Sequence, residues 1–170
     1  MTIIAGLVHD GKVYMGADRG MSDDKFIGSM LQPKIKKVGG MLIGYAASLG
    51  AGQMAHYIDY AKQQDSDTVK YVRTVVVKSI MEAYQEYGLD FTEDDKAAAD
   101  FLIGINGCLF ELNTNDWSVG QYDVVATGSG FAYAMGSLYS TRDLDNPKER
   151  IREAIKASIK YSPSCQSPID

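Results

Sequence analysis

Residues 2–17 read TIIAGLVHDGKVYMGA. Two apolar runs flank Asp10-Gly11, a dipeptide that favours a two-residue β-turn because both of its positions tolerate positive φ. The stretch therefore predicts a hairpin, with one strand over residues 2–9 and its return over 12–17. Further out, KIKKV (34–38) and MLIGYAA (41–47) pair around Gly39-Gly40, so the first 48 residues are mostly sheet. From Leu49 the period changes. Leu49, Met54, Tyr57, Ile58 and Ala61 fall near one helical face and predict a helix over 49–63. Val69, Val72, Val76, Ile80, Ala83 and Tyr87 predict a second over 67–87, with Ser66 able to cap its start and Gly88 its end. The run Val75-Val76-Val77 favours strand locally.

Residues 88–100, GLDFTEDDKAAAD, form a polar, acidic connection. Strands resume with FLIGIN (101–106), CLFELN (108–113) and YDVVATG (122–128), with Asn106-Gly107 as a second hairpin signal. A helix follows Gly130. A last helix starts at Pro147, capped by Asn146, with Ile151, Ala154, Ile155 and Ile159 on one face. Strands, two helices, strands, two helices is the order of an α+β domain with antiparallel sheets sandwiched between helix layers. No linker or repeat divides residues 1–170, which read as a single domain.

Composition narrows the function. The chain has 170 residues, 45% hydrophobic and 23% charged, close to a soluble globular average. That excludes disorder, collagen and coiled coil as the dominant state. A net charge of -5 with no basic tract argues against nucleic acid. Cys108 and Cys165 form no C-x-x-C pair, and two cysteines are too few for a disulfide scaffold or a zinc site, which suits a reducing, cytoplasmic compartment. His9 and His56 are the only histidines, too few for a His-rich metal site and weak support for a Ser-His-Asp scheme. No apolar run reaches 18 residues and no basic segment precedes the first apolar one, so neither membrane insertion nor export is expected. The phosphate-cradling glycine motifs are absent too, so no cofactor and no metal are expected.

The chemistry concentrates near the start. Thr2 follows Met1, and a small second residue permits removal of that methionine. A freed threonine carries a hydroxyl and an α-amine with a reference pKa of about 7.7–8.0, so nucleophile and base sit within one residue. Asp18 ends the second strand, which returns beside Thr2. Lys34 begins the next one; a lysine near the nucleophile would lower the pKa of its hydroxyl and amine, and an aspartate would hold that lysine charged. Gly44 sits mid-strand with an unobstructed N–H, as an oxyanion donor requires. Each residue alone also has a plain structural reading: edge strand, strand-end cap, solvated charge, bulge. The triplet Gly128-Ser129-Gly130 reads by itself as a tight turn feeding a helix.

Taken together and in order, TIIAGLVHDGKVYMGAD, PKIKKV, LIGYAAS and ATGSGFAYAMG resemble the proteasome β-type subunits, and within them the HslV-like branch of small bacterial and phage members. These are N-terminal-nucleophile (Ntn) hydrolases. The resemblance implies a four-layer αββα sandwich and a homo-oligomeric ring enclosing its active sites. It also implies threonine-type endopeptidase activity on peptide or unfolded protein substrates, and leaves room for an ATP-dependent unfoldase partner. By the same resemblance Thr2 is the catalytic threonine, Asp18 and Lys34 the supporting pair, Gly44 the oxyanion donor and Ser129 the serine that contacts the terminal amine. Where the family carries an aspartate after the last helix, this chain has YSPSCQSP (161–168), with Ser162 or Ser164 at that place. An assembly-only ring subunit and an Ntn amidohydrolase acting on a small amide are the alternatives.

Overall fold

The computed structural model describes residues 2–22, 25–89 and 98–170. The opening hairpin forms as the sequence predicts: β1 (Ile3–His9) and β2 (Lys12–Ala17) pair antiparallel, with Ile4 opposite Ala17. Asp10 and Gly11 have φ of 49° and 67°, both positive as the tight hairpin turn demands. A short ribbon follows, β3 (Gly20–Ser22) with β4 (Ile27–Ser29). Next come β5 (Ile35–Val38) and β6 (Met41–Ala47), which turn at Gly39-Gly40 with φ of 55° and 89°.

The helical segment starts at α1 (Leu49–Ala55), capped by the Ser48 hydroxyl, and stops well short of residue 63. One side chain accounts for part of the early stop. The Tyr60 hydroxyl donates to the Ala55 carbonyl at 2.9 Å, a group that a continuing helix would use. The second predicted helix is present as α2 (Thr68–Tyr71), a π-helical turn (Val72–Val76) and α3 (Val77–Glu86). Asp67, rather than Ser66, caps it, accepting from the Lys70 N–H at 2.9 Å. The β-branched run falls on the π turn and the start of α3, where the helix is under-wound rather than broken. Gly88 ends it at φ 62°.

Most of the predicted acidic connection, residues 90–97, lies outside the described residues. Beyond it stand β7 (Ala99–Ile105), β8 (Cys108–Asn113), β9 (Ser118–Tyr122) and β10 (Val124–Gly128). Then come α4 (Phe131–Ser140) and α5 (Pro147–Tyr161), the latter capped by Asn146 as expected. The sheets run β10-β1-β2 and β5-β6-β7-β8-β9, antiparallel throughout.

Four layers result. The helices α1–α3 pack on the five-stranded sheet through Tyr45, Val76, Ile80, Tyr84, Phe101 and Ile103. At the opposite side α4 and α5 pack on the three-stranded sheet through Ile3, Ala5, Leu7, Leu138, Ile151 and Ile155. Between the sheets lie Ile4, Ala17, Ala46, Leu102 and Leu109. β1 is apolar at nearly every position because both of its faces are buried. Each large aliphatic in that middle layer contributes about 1.5–3 kcal/mol by leaving water. This is the αββα sandwich expected from the sequence, with the first residues of β1 wedged between a sheet and a helix layer.

Candidate active site

Thr2 stands just before β1, 4% exposed, and its carbonyl accepts a hydrogen bond from the Ser129 hydroxyl at 3.3 Å. The pairing of β1 with β10 places Ile3 opposite Gly128, which brings the Gly128–Gly130 turn against the threonine. Gly128 has φ of 101°, and a Cβ there would lie 2.2 Å from the Thr2 carbonyl oxygen. Only glycine fits that approach.

Asp18 follows β2 opposite Ile3, whose carbonyl accepts its N–H at 3.2 Å. The side chain is wholly buried and gathers four donors: the N–H groups of Ile3 (3.0 Å), Gly20 (2.9 Å) and Gln166 (2.8 Å), and Lys34 Nζ (2.8 Å). These four donors satisfy the carboxylate where water cannot reach it. Lys34, 1% exposed, also donates to the Gly20 carbonyl. Burial pushes its ammonium pKa down, and Asp18 pulls it part of the way back. Of the lysines in this strand, Lys34 alone reaches the site, since Lys36 lies over the Tyr57 ring at 3.9 Å and Lys37 is exposed.

Ser129 links the threonine to the segment after α5. Its hydroxyl lies 2.7 Å from that of Ser164, which in turn lies 3.2 Å from that of Ser162. Ser164, the nearer of the two candidates, thus meets Ser129 directly. The same segment supplies the Gln166 N–H to Asp18 and brings the Asp170 carboxylate onto the Arg19 guanidinium, with contacts at 2.8 and 2.9 Å.

Gly44 is not part of this constellation. A Cβ on it would meet Ile35, Met15 and Ile4, the packing between the sheets. The Tyr45 N–H points to the Lys34 carbonyl just before β5 (3.3 Å), so strand alternation turns the Gly44 N–H the other way, towards β7. Two residues beyond Tyr45 and past the start of β5, strand alternation turns the Ala47 N–H to the same side as that of Tyr45, away from β7. Ala47 has φ of 70°, an unusual value for alanine. Together with Thr2, Lys34, Tyr45, Met21 and Met30, it lines a cavity of about 80 Å³. No local pattern in the sequence marks Ala47 as the end of the strand rather than its middle.

The site thus holds a hydroxyl-bearing residue, a buried ammonium locked to a buried carboxylate, an open backbone N–H and a small cavity. That set can activate a hydroxyl and stabilise an oxyanion. Among the described residues, no group of three or more His, Cys, Asp or Glu is placed to hold a metal, and no helix is long and apolar enough to cross a membrane.

No family model matches the sequence, and no curated protein matches it. Solved structures do. BPH from Thiobacillus denitrificans, solved in complex with epoxomicin, superposes with a TM-score of 0.82 at 18% identity, covering 99% of this chain and 96% of that one. HslV from Trypanosoma brucei gives 0.70 at 15% identity, covering 99% and 97%. Anbu from Yersinia bercovieri gives 0.74 at 12% identity, covering 100% and 79%. The fold is that of the proteasome-like Ntn hydrolases. At these identities the likeness is one of fold, and in the Ntn-hydrolase sandwich the cluster around Thr2 occupies one end, where β1 begins and β6 and β10 finish.

Proposed function

We propose that this chain is a threonine-type endopeptidase subunit of a self-compartmentalising, proteasome-like ring in the cytoplasm, with Thr2 as N-terminal nucleophile once Met1 has been removed. The observation that carries the reading is the Lys34–Asp18 pair, buried at the cavity that Thr2 lines. A buried ion pair is a poor device for stability, and a positive charge facing a threonine hydroxyl is a good one for making a nucleophile.

In this reading the Thr2 hydroxyl attacks a peptide carbonyl while the freed α-amine takes its proton. Lys34 stabilises the developing alkoxide, and Asp18 holds Lys34 charged and in place. The oxyanion receives the N–H of Ala47 instead of that of Gly44. Ser129 and Ser164 fix the Thr2 carbonyl, and with it the direction of the amine. The same amine then returns the proton to the leaving group, and water releases the acyl-enzyme. Substrates are peptides or unfolded chains admitted to the ring, with or without an ATP-dependent unfoldase.

The test starts with the intact mass of untagged protein from a bacterial cytoplasm, expected to lack one methionine. Incubation with epoxomicin, the ligand held by BPH, should then add one inhibitor mass, and Thr2→Ala should take up none. Equal uptake by Thr2→Ala would end the scheme. A second reading, a ring subunit without peptidase activity, is favoured by the hydroxyls of Ser162 and Ser164, which stand where the resemblance calls for an aspartate. Full retention of Met1 would select it.

A further inference from the structure

The strand β2 has an open side. The three-stranded sheet runs β10-β1-β2, so no strand of that sheet follows it. At one end Ala17 exchanges both main-chain bonds with Asp170, donating at 3.3 Å and accepting at 2.9 Å. Strand alternation turns the N–H and carbonyl of Met15 and of Val13 to that same side. Among the described residues, neither has a main-chain partner there. Edges of this kind are usually blunted by lysine, by proline or by a covering segment. In KVYMGA the only such residue is Lys12, beside the hairpin turn.

Beside this edge lies a cavity of about 390 Å³, within the size range of ligand sites. It shares no lining residue with the cavity at Thr2. Its walls are the layers that flank the sheet: Ile151 and Arg152 of α5 on one side, Leu42 of β6 on the other. A strand laid about 4.8 Å beyond β2 would continue the sheet between those two layers. Lys148 and Arg152 stand one turn apart at the rim, both exposed, and no ion pair among the described residues engages either. Asp170, the one acid among the lining residues, is tied by its side chain to Arg19 and by its main chain to Ala17. In a chain of net charge -5, two neighbouring cations left in this way complement an anionic partner. They also oppose a second copy: pairing β2 with β2 would set the same cations of both copies on one face of the joined sheet.

We propose that this slot receives an extended segment of another polypeptide as an added strand, with a carboxylate side chain between two apolar ones. The strand runs antiparallel to β2, in line with Ile169 and Asp170, which meet Asp18 and Ala17 in that sense. Opposite residues of an antiparallel pair share a face. The apolar residues, paired with Met15 and Val13, therefore face Leu42. The carboxylate lies opposite Tyr14, on the side where Gly16 meets Ile151 of α5, and there Lys148 and Arg152 receive it. Main-chain bonds supply the affinity, and the alternate side chains the selection. The proposal does not depend on the peptidase reading.

The probe is the fluorescein-labelled peptide Thr-Val-Glu-Val-Thr, read by anisotropy against the full chain carrying Thr2→Ala, so that no cleavage intervenes. Saturable binding is expected, about ten-fold tighter than that of Thr-Val-Lys-Val-Thr, the scale of a charge-assisted hydrogen bond. Lys148→Glu with Arg152→Glu should reverse that preference. If this pair of reversals unfolds the protein, Lys148→Gln with Arg152→Gln should bring both peptides to equal affinity. Methylating the amide nitrogen of either valine, which faces β2, should abolish binding, whereas methylating that of the glutamate, which faces away, should change it by less than about two-fold. No saturable binding, equal affinity of the unaltered chain for the two peptides, a preference unmoved by the charge variants, or tolerance of the methylated valines each overturns the proposal. So does a slowing of amide exchange over residues 12–17 that grows with protein concentration in the absence of peptide, which would give the edge to a second copy.

Discussion

Asp18 shows how much can hang on one carboxylate. Three donors from distant parts of the chain and a fourth from nearby Gly20 converge on it, and none of its surface meets solvent. Asp18→Asn keeps the shape but removes the charge that balances Lys34, leaving a buried ammonium without its counter-ion. Breaking a buried pair from one side costs about 3–5 kcal/mol, so urea denaturation of Asp18→Asn should show a loss on that scale. A loss below about 1 kcal/mol would mean that Lys34 is solvated in solution. The placement of Asp18 and Lys34 near Thr2 was legible because they stand at strand ends, where a hairpin and a following strand must bring them there. The placement of Gly44 among the packing between the sheets was not, because it depends on where β5 starts, which neither composition nor periodicity marks.

Elements carry their own lesson. Three β-turns were legible because Asp10-Gly11, Gly39-Gly40 and Asn106-Gly107 all need positive φ at both positions, and these residue pairs supply it. The strands β3, β4 and β9 were not legible: GMS, IGS and SVGQY offer too few apolar side chains to alternate. The helix expected over 49–63 stops at Ala55, whose carbonyl is engaged by the Tyr60 hydroxyl, a side-chain effect that periodicity does not contain. At the end of β10, the close approach of Gly128 to Thr2 makes a prediction. Gly128→Ala must move either the turn or the threonine, and holding alanine at φ of 101° costs about 1–3 kcal/mol. Tm should fall accordingly, and the rate of epoxomicin adduct formation should drop more steeply than stability does. An unchanged labelling rate would show that the turn does not position Thr2.

For the whole molecule, the question is what holds two sheets face to face. Most of the answer is apolar, but Glu111 on β8 lies opposite Leu102, on the face turned to the other sheet, near Asp100. Asp100 in turn accepts from the Thr127 hydroxyl at 2.9 Å, a link from β7 to β10. Burial, and then Asp100, raise the Glu111 carboxyl above its ordinary value of 4.5. The folded state therefore holds a proton that the unfolded chain has lost in the window between the ordinary and the raised value, and stability falls as pH rises through it. Glu111→Gln removes that dependence. The Tm of Glu111→Gln minus that of the wild type should be larger at about pH 8 than at about pH 4, and a difference that does not change with pH would place the glutamate in water.

The segment after α5 has a meaning in time as well as in space. Chains are made from the amino end, so Thr2, Asp18 and Lys34 leave the ribosome long before residues 164–170. Until those last residues arrive, Asp18 lacks the Gln166 N–H, Ser129 lacks Ser164, and Arg19 lacks Asp170. A half-made chain therefore holds Thr2 in an unfinished setting. On the peptidase reading proposed above, synthesis itself would act as a safety catch, keeping Thr2 idle until the fold around it has closed.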